Sequence, residues 1–403
     1  MNLDSTHILE NTSTPHKQPS KLAALPLALF ASVMGFVGLG LALKKAAMIS
    51  GFSAQSSAHA IQAAQALDST QNLWHDIFYY LSFGSVVLGL VIFGCLLVCY
   101  IGKAIRHFDE FKGDATHQVK INFLSTIPIG ALLLVAYFGD MLLLLHVDST
   151  PESMDSAVVS SAPFWFYITM LVIFYLAAVL QLGFSLYVMR FWFKNPMKMS
   201  LLSPAWFIPI VGNLIVPVSG IKLLESYDFM REQGALTSSI DSVRDLFLLA
   251  PPTDMLLFFF SIGCFFWLVL CVLVMGRLIF EQSLESKFIP TLFIFIAPPS
   301  VFVLDFTLLF GSSALSTPLV LMVYYIALFF ALLLLALSKI FLKLGFAPSW
   351  WAFTFPLCAF SLASFECGYM WLGFFALFGA FCAVVFVGIK TLQALANGSI
   401  FRE

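Results

Sequence analysis

Residues 204–217 read PAWFIPIVGNLIVP, an apolar run with proline at both ends and again at position 209. Proline inside a helix deletes a backbone hydrogen bond and bends the rod. Within a bilayer this is tolerated where protein or water satisfies the freed carbonyl. Such a run predicts a membrane helix turned toward a protein interior or a wet path, not toward acyl chains.

Working outward, the chain has 403 residues, of which 60% are hydrophobic and 10% charged, with a mean hydropathy of +0.95. An ordinary soluble domain is about 45–50% apolar and about 25% charged, so a water-soluble globule and a disordered chain are both excluded. A spanning helix needs about 20 apolar residues. Ten stretches qualify: 23–43, 77–101, 122–146, 164–189, 202–221, 252–276, 288–310, 318–338, 346–366 and 369–389. They are numbered helices one to ten. They are too long for barrel strands, and open strands cannot face lipid. The fold class is therefore an all-α integral membrane protein.

The prolines then divide the helices. Pro26, Pro128, Pro209 with Pro217, Pro298 with Pro299, and Pro356 fall inside helices one, three, five, seven and nine. The even-numbered helices carry proline only at or before their starts. The pattern predicts five tandem helical hairpins, with an inner ring of five proline-kinked helices around a central pore and five straight helices outside. Kinks are expected at Pro26, Pro128, Pro209, Pro298 and Pro356. Small and mildly polar residues on the same helices are the expected pore lining: Ser32, Gly35, Ser125, Thr126, Gly212, Asn213, Ser300, Thr354 and Ser361. Helix packing accounts for small residues as well.

Charge sets the orientation. Fifteen of the 20 Lys and Arg fall on the side that holds both termini. By the positive-inside rule that side is cytoplasmic, in a cell (plasma or inner) membrane. On this count no Lys or Arg lies deep in a helix. Residues 1–22 form a polar tail, 23–395 the ten-helix domain with long extracytoplasmic loops at 47–76 and 223–250, and 396–403 a short tail. Asp140, Asp305 and Glu366 stand near the outer ends of helices three, seven and nine, where they could serve proton coupling. A net charge of −2 gives no reason to expect nucleic acid. The seven Cys and seven His show no metal spacing, and no nucleophile elbow or phosphate loop is present. No metal, cofactor or enzymatic activity is expected.

Several segments carry a resemblance: PSWWAFTFP at 348–356, PAWFIPIVGNLIVP at 204–217, PTLFIFIAPPS at 290–300, FLSTIPIGALLL in helix three and VMGFVGLGLAL in helix one. Together, over about residues 22–395, they resemble the tellurite-resistance/dicarboxylate transporter family. The resemblance implies a homotrimer with one pore per protomer, passing small inorganic or organic anions such as chloride, nitrate, sulfite or C4-dicarboxylates. It also implies a pore-occluding phenylalanine in helix nine, matched here to Phe355, with Phe353 the less favoured alternative. Two functions stay open. One is a gated anion channel. The other is a secondary carrier for C4-dicarboxylates, tellurite or sulfite, proton-coupled through Asp140, Asp305 or Glu366.

Overall fold

A computed structural model describes residues 20–56, 64–147, 161–232 and 249–401. The described residues are helical, without strands. Nine helices among them are long and apolar enough to cross a membrane. The tenth stretch is a broken helix, a 3-10 piece over Pro348–Phe353 followed by an α-helix over Thr354–Glu366. The protein is a multi-pass membrane protein.

The two classes of helix separate by burial. In the central windows of helices one, three, five and seven, 67–89% of residues are buried, against 17–39% in helices two, four, six, eight and ten. The inner helices form a closed ring in which one packs on three, three on five, five on seven, seven on nine, and nine on one. The outer helices present large apolar side chains such as Tyr80, Phe193, Phe280 and Trp371 on their free faces, as a lipid-facing surface requires.

The prolines act differently from mid-helix kinks. Each inner helix begins as a 3-10 piece and continues as an α-helix: Leu27–Phe30 into Ala31–Ser56, Lys120–Phe123 ahead of Thr126–Val147, and Ser286–Ile296 into Ala297–Phe310. Helix nine follows the same plan. Helix five has two such junctions, Pro204–Trp206 into Phe207–Val211 and Gly212–Leu214 into Ile215–Glu232. Pro128, Pro209, Pro217, Pro298 and Pro356 all fall within the first three residues of an α segment. There the amides have no α-helical partner, so a missing N–H costs nothing. Pro26 lies outside the helix, with extended backbone just before Leu27. The prolines thus start the α halves; they do not bend finished helices.

Two segments outside the ten apolar stretches contain helix. Helix one runs on to Ser56 and helix two starts at Ala64, so most of the 47–76 segment extends these helices. Likewise 223–232 continues helix five. The N-terminal tail up to residue 19 and residues 233–248 lie outside the described residues.

Candidate functional site

At the level of the junctions the five inner helices enclose a cavity of about 80 Å³. Every helix of the ring contributes: Met34 from one, Ile129 from three, Phe207 and Val211 from five, Val301 from seven, and Trp351 and Phe355 from nine. The lining is apolar. Phe355, immediately before Pro356, is only partly buried and faces this space. Helix one comes close beneath it, because a Cβ added to Gly38 would stand 3.1 Å from Phe355 Cδ2. Phe353 points elsewhere. Its ring packs against Phe293 at 4.5 Å, Trp350 at 5.2 Å and Phe341 at 5.5 Å, beside a separate apolar groove between helices seven, eight, nine and ten.

Of the small and polar residues expected along the axis, Gly212 alone lines this cavity among the described residues. Five of the others complete the junctions. The Ser32 hydroxyl donates to the Leu29 carbonyl (2.7 Å), Thr126 to Phe123 (2.6 Å), Ser300 to Ile296 (2.8 Å) and Thr354 to Trp351 (2.7 Å). In helix five the Asn213 amide donates to the Ile210 carbonyl (2.6 Å) and to the Ser185 hydroxyl of helix four (2.9 Å). One side-chain donor per inner helix therefore reaches back to a carbonyl at its junction. A buried carbonyl without a donor costs about 1–3 kcal/mol, and lipid supplies no water to replace it. Gln181 and Ser185 of helix four add donors to the Pro209 carbonyl, at 3.0 and 2.6 Å. Ser361 turns outward and donates to the Gly373 carbonyl of helix ten (2.9 Å). Gly35 lets helix one press against Thr354 and Trp351, where any Cβ would collide. Ser125 is fully buried.

The charged groups also differ from expectation. Lys44 is buried inside helix one, where its ammonium pairs with Asp140 of helix three at 2.9 Å and lies 4.9 Å from the centre of the Tyr137 ring. Lys222 of helix five shares Asp140 at 3.4 Å and holds Glu225 at 2.9 Å. Lys45 pairs with Glu366 of helix nine at 2.9 Å. Lys103 and Arg277 are buried too, but in the last turns of helices two and six. The expectation that no basic residue lies deep in a helix is thus corrected. Helix one continues past its first lysines, and a hydropathy window ends too early at a charge whose partner is far away in sequence. Asp305 is fully buried in helix seven, and neither carboxyl oxygen has a side-chain partner.

The sequence reading missed the cavity wall itself. Its signal is an apolar pair three or four residues apart in four of the five inner helices, Ala31/Met34, Phe207/Val211, Ala297/Val301 and Ala352/Pro356, with Ile129 alone from helix three. In so apolar a chain that signal is hidden among equally apolar packing pairs.

Five broken helices converge on one apolar cavity, and no metal-holding cluster is present among the described residues. The chain belongs to the SLAC1 family of voltage-dependent anion channels, whose family model matches residues 24–396. It is similar to the S-type anion channel SLAH2 of Arabidopsis thaliana, 24% identical over 281 residues, which covers 69% of this chain and 44% of that relative. It thus spans less than half the length of that protein. S-type anion channel SLAH1 of the same plant is 23% identical over 323 residues, 78% of this chain and 71% of the relative. An uncharacterized transporter of Methanocaldococcus jannaschii is 24% identical over 338 residues, 79% of this chain and 86% of the relative. The family is one of channels and transporters, and small anions are its substrates.

Proposed function

We propose that the protein is a gated anion channel whose conducting path runs along the axis of the inner ring and is closed by Phe355. The observation that carries this reading is the central cavity: every inner helix lines it, it is apolar, and an aromatic ring faces it. An apolar constriction gates by dewetting, because its walls offer water no hydrogen bonds. Anion preference has a physical source as well. The five inner helices run the same way, so their positive dipole ends gather at one mouth. At the opposite ends Lys44, Lys45 and Lys222 stand against Asp140, Glu225 and Glu366, leaving that cluster charge-balanced. The relatives named as S-type anion channels support the channel over the carrier. Family resemblance adds a homotrimer with one path per protomer. The positive-inside count adds cytoplasmic termini in a cell membrane.

One observation keeps a proton-coupled carrier as the second reading. Of the three acids considered for coupling, Asp140 and Glu366 are held in ion pairs, whereas Asp305 is buried and free of them.

The test is current across a planar bilayer containing purified protein in asymmetric chloride, wild type beside Phe355→Ala. The expected result is a larger current in the variant, reversing near the chloride equilibrium potential. Equal currents from two folded proteins would remove Phe355 as the gate. Silence in both, with saturable, pH-gradient-driven uptake of a labelled dicarboxylate abolished by Asp305→Asn, would establish the carrier.

A further inference from the structure

A second cavity, of about 440 Å³, lies at the mouth where the inner helices begin. Its walls come from the approach to helix one (Ala23–Ala28), the starts of helices three, seven and nine, and the end of helix two. The titratable side chains that line it are Lys103, His117, Lys120 and Lys287, and none of its lining residues is acidic. The nearest acids stand behind the wall. Asp114 bridges Lys103 at 2.6 Å and Lys120 at 3.2 Å, and Glu285 holds Lys287 at 2.9 Å. Three lysines against two carboxylates leave the cluster positive with His117 neutral. The Ser349 hydroxyl donates to the Lys287 carbonyl and ties the helix-nine wall to the helix-seven wall.

Size separates this chamber from the constriction beyond it. Water occupies about 30 Å³ per molecule in the liquid, so a chamber of 440 Å³ accommodates far more than one small ion. It falls in the range of about 300–1,000 Å³ typical of small-molecule sites. The cavity at Phe355, about 80 Å³, does not. An organic polyanion that enters the chamber therefore meets cations on several walls and has no room to continue.

We propose that this vestibule binds a polyvalent oxyanion, a small molecule bearing two or more clustered phosphate or carboxylate groups, which plugs the conducting path from the face where the inner helices begin. The block rests on the channel reading; the binding does not. Lys120 and Lys287 are the positions to change, because both side chains are more than half exposed and neither holds the fold together. Lys103 is buried against Asp114 and is left in place.

The experiment measures pyrophosphate binding to purified full-length protein by titration calorimetry, in zwitterionic lipid nanodiscs at two salt concentrations. Wild type, the double variant Lys120→Gln/Lys287→Gln, and Lys112→Gln are compared, the last an exposed lysine outside the chamber wall. The expected result is saturable binding that the double variant weakens by about tenfold or more, as loss of two charge-assisted contacts implies, and that Lys112→Gln leaves unchanged. Pyrophosphate added to the same face of a bilayer should block the chloride current of Phe355→Ala and not that of the same protein carrying Lys120→Gln/Lys287→Gln. Nanodiscs containing a phosphorylated inositol lipid identify the source. If pyrophosphate no longer binds there, the headgroup already fills the chamber; undiminished binding marks a soluble ligand, and both support the site. Equal binding by wild type and the double variant, or none by wild type in any nanodisc, overturns the proposal. Binding without any chloride current, in wild type and in Phe355→Ala alike, leaves the site standing and removes the channel reading instead.

Discussion

His117 shows how one side chain at the mouth carries a pH dependence. It lies in the turn before helix three, outside the membrane spans, and its Nδ1 accepts the backbone amides of Val119 and Lys120 at 3.2 and 3.4 Å. A proton on Nδ1 would break both bonds. Burial, and then the charges of Lys120 and Lys287 against the opposing pull of Asp114, hold its pKa below the ordinary histidine value. The folded protein therefore binds this proton less readily than the unfolded chain does. Stability is unaffected by His117 above pH ~7 and falls as pH drops through the region just below ~6.5. Thermal unfolding in detergent between mildly acidic and neutral pH should show this loss in wild type and a smaller one in His117→Gln. Identical pH profiles would show that the ring does not titrate differently on folding.

At the scale of the element, the unit of construction is the junction of a 3-10 piece with an α-helix. Thr354 serves two ends there: its hydroxyl completes the helix-nine junction, and its side chain meets helix one at Gly35. Thr354→Val keeps the shape and removes the hydroxyl donor, while the Thr354 amide still reaches the Trp351 carbonyl, and should cost about 0.5–1.5 kcal/mol. Gly35→Val should be worse, because a side chain at 35 has no space against Thr354 and Trp351. Denaturation in mild detergent gives both values, and a Gly35→Val protein as stable as wild type would contradict the close packing of helices one and nine. Much of this level was legible in advance. Proline in alternate helices marked the inner ring, and five of the hydroxyl and amide residues picked out on those helices, Ser32, Thr126, Asn213, Ser300 and Thr354, are the ones that complete the junctions. Sequence alone does not assign their role, for a physical reason. A small polar residue in a membrane helix suits a pore wall, a packed interface and a carbonyl cap equally well, and only the backbone geometry separates these. The 3-10 geometry left no sequence signal either, since an unbroken apolar run has no periodicity to distinguish three residues per turn from 3.6.

For the whole molecule, the ring is closed by charge as well as by packing. Asp140 ties helix three to helices one and five through Lys44 and Lys222, and Lys45 ties helix one to nine through Glu366. Removing one member of a buried pair strands the other. Asp140→Leu should therefore destabilise the protein by about 3–5 kcal/mol, and adding Lys44→Met should recover a large part of that loss. Thermal unfolding of the single and double variants measures the coupling, and strictly additive effects would show that the pair contributes nothing beyond its separate residues. No sequence reading locates such a pair, because Lys44 and Asp140 belong to different hairpins and meet only when the ring closes.

The junctions also give the ring a gearing. A residue advances about 2.0 Å and turns about 120° in a 3-10 helix, against about 1.5 Å and 100° in an α-helix. Moving one residue of Pro348–Phe353 across the boundary into the α segment would shorten helix nine by about 0.5 Å and unwind its upper half by about 20°. Phe355 lies one residue past the first of that upper half, so it would swing about the helix axis as a cam does on its shaft, without any helix tilting or leaving its neighbours.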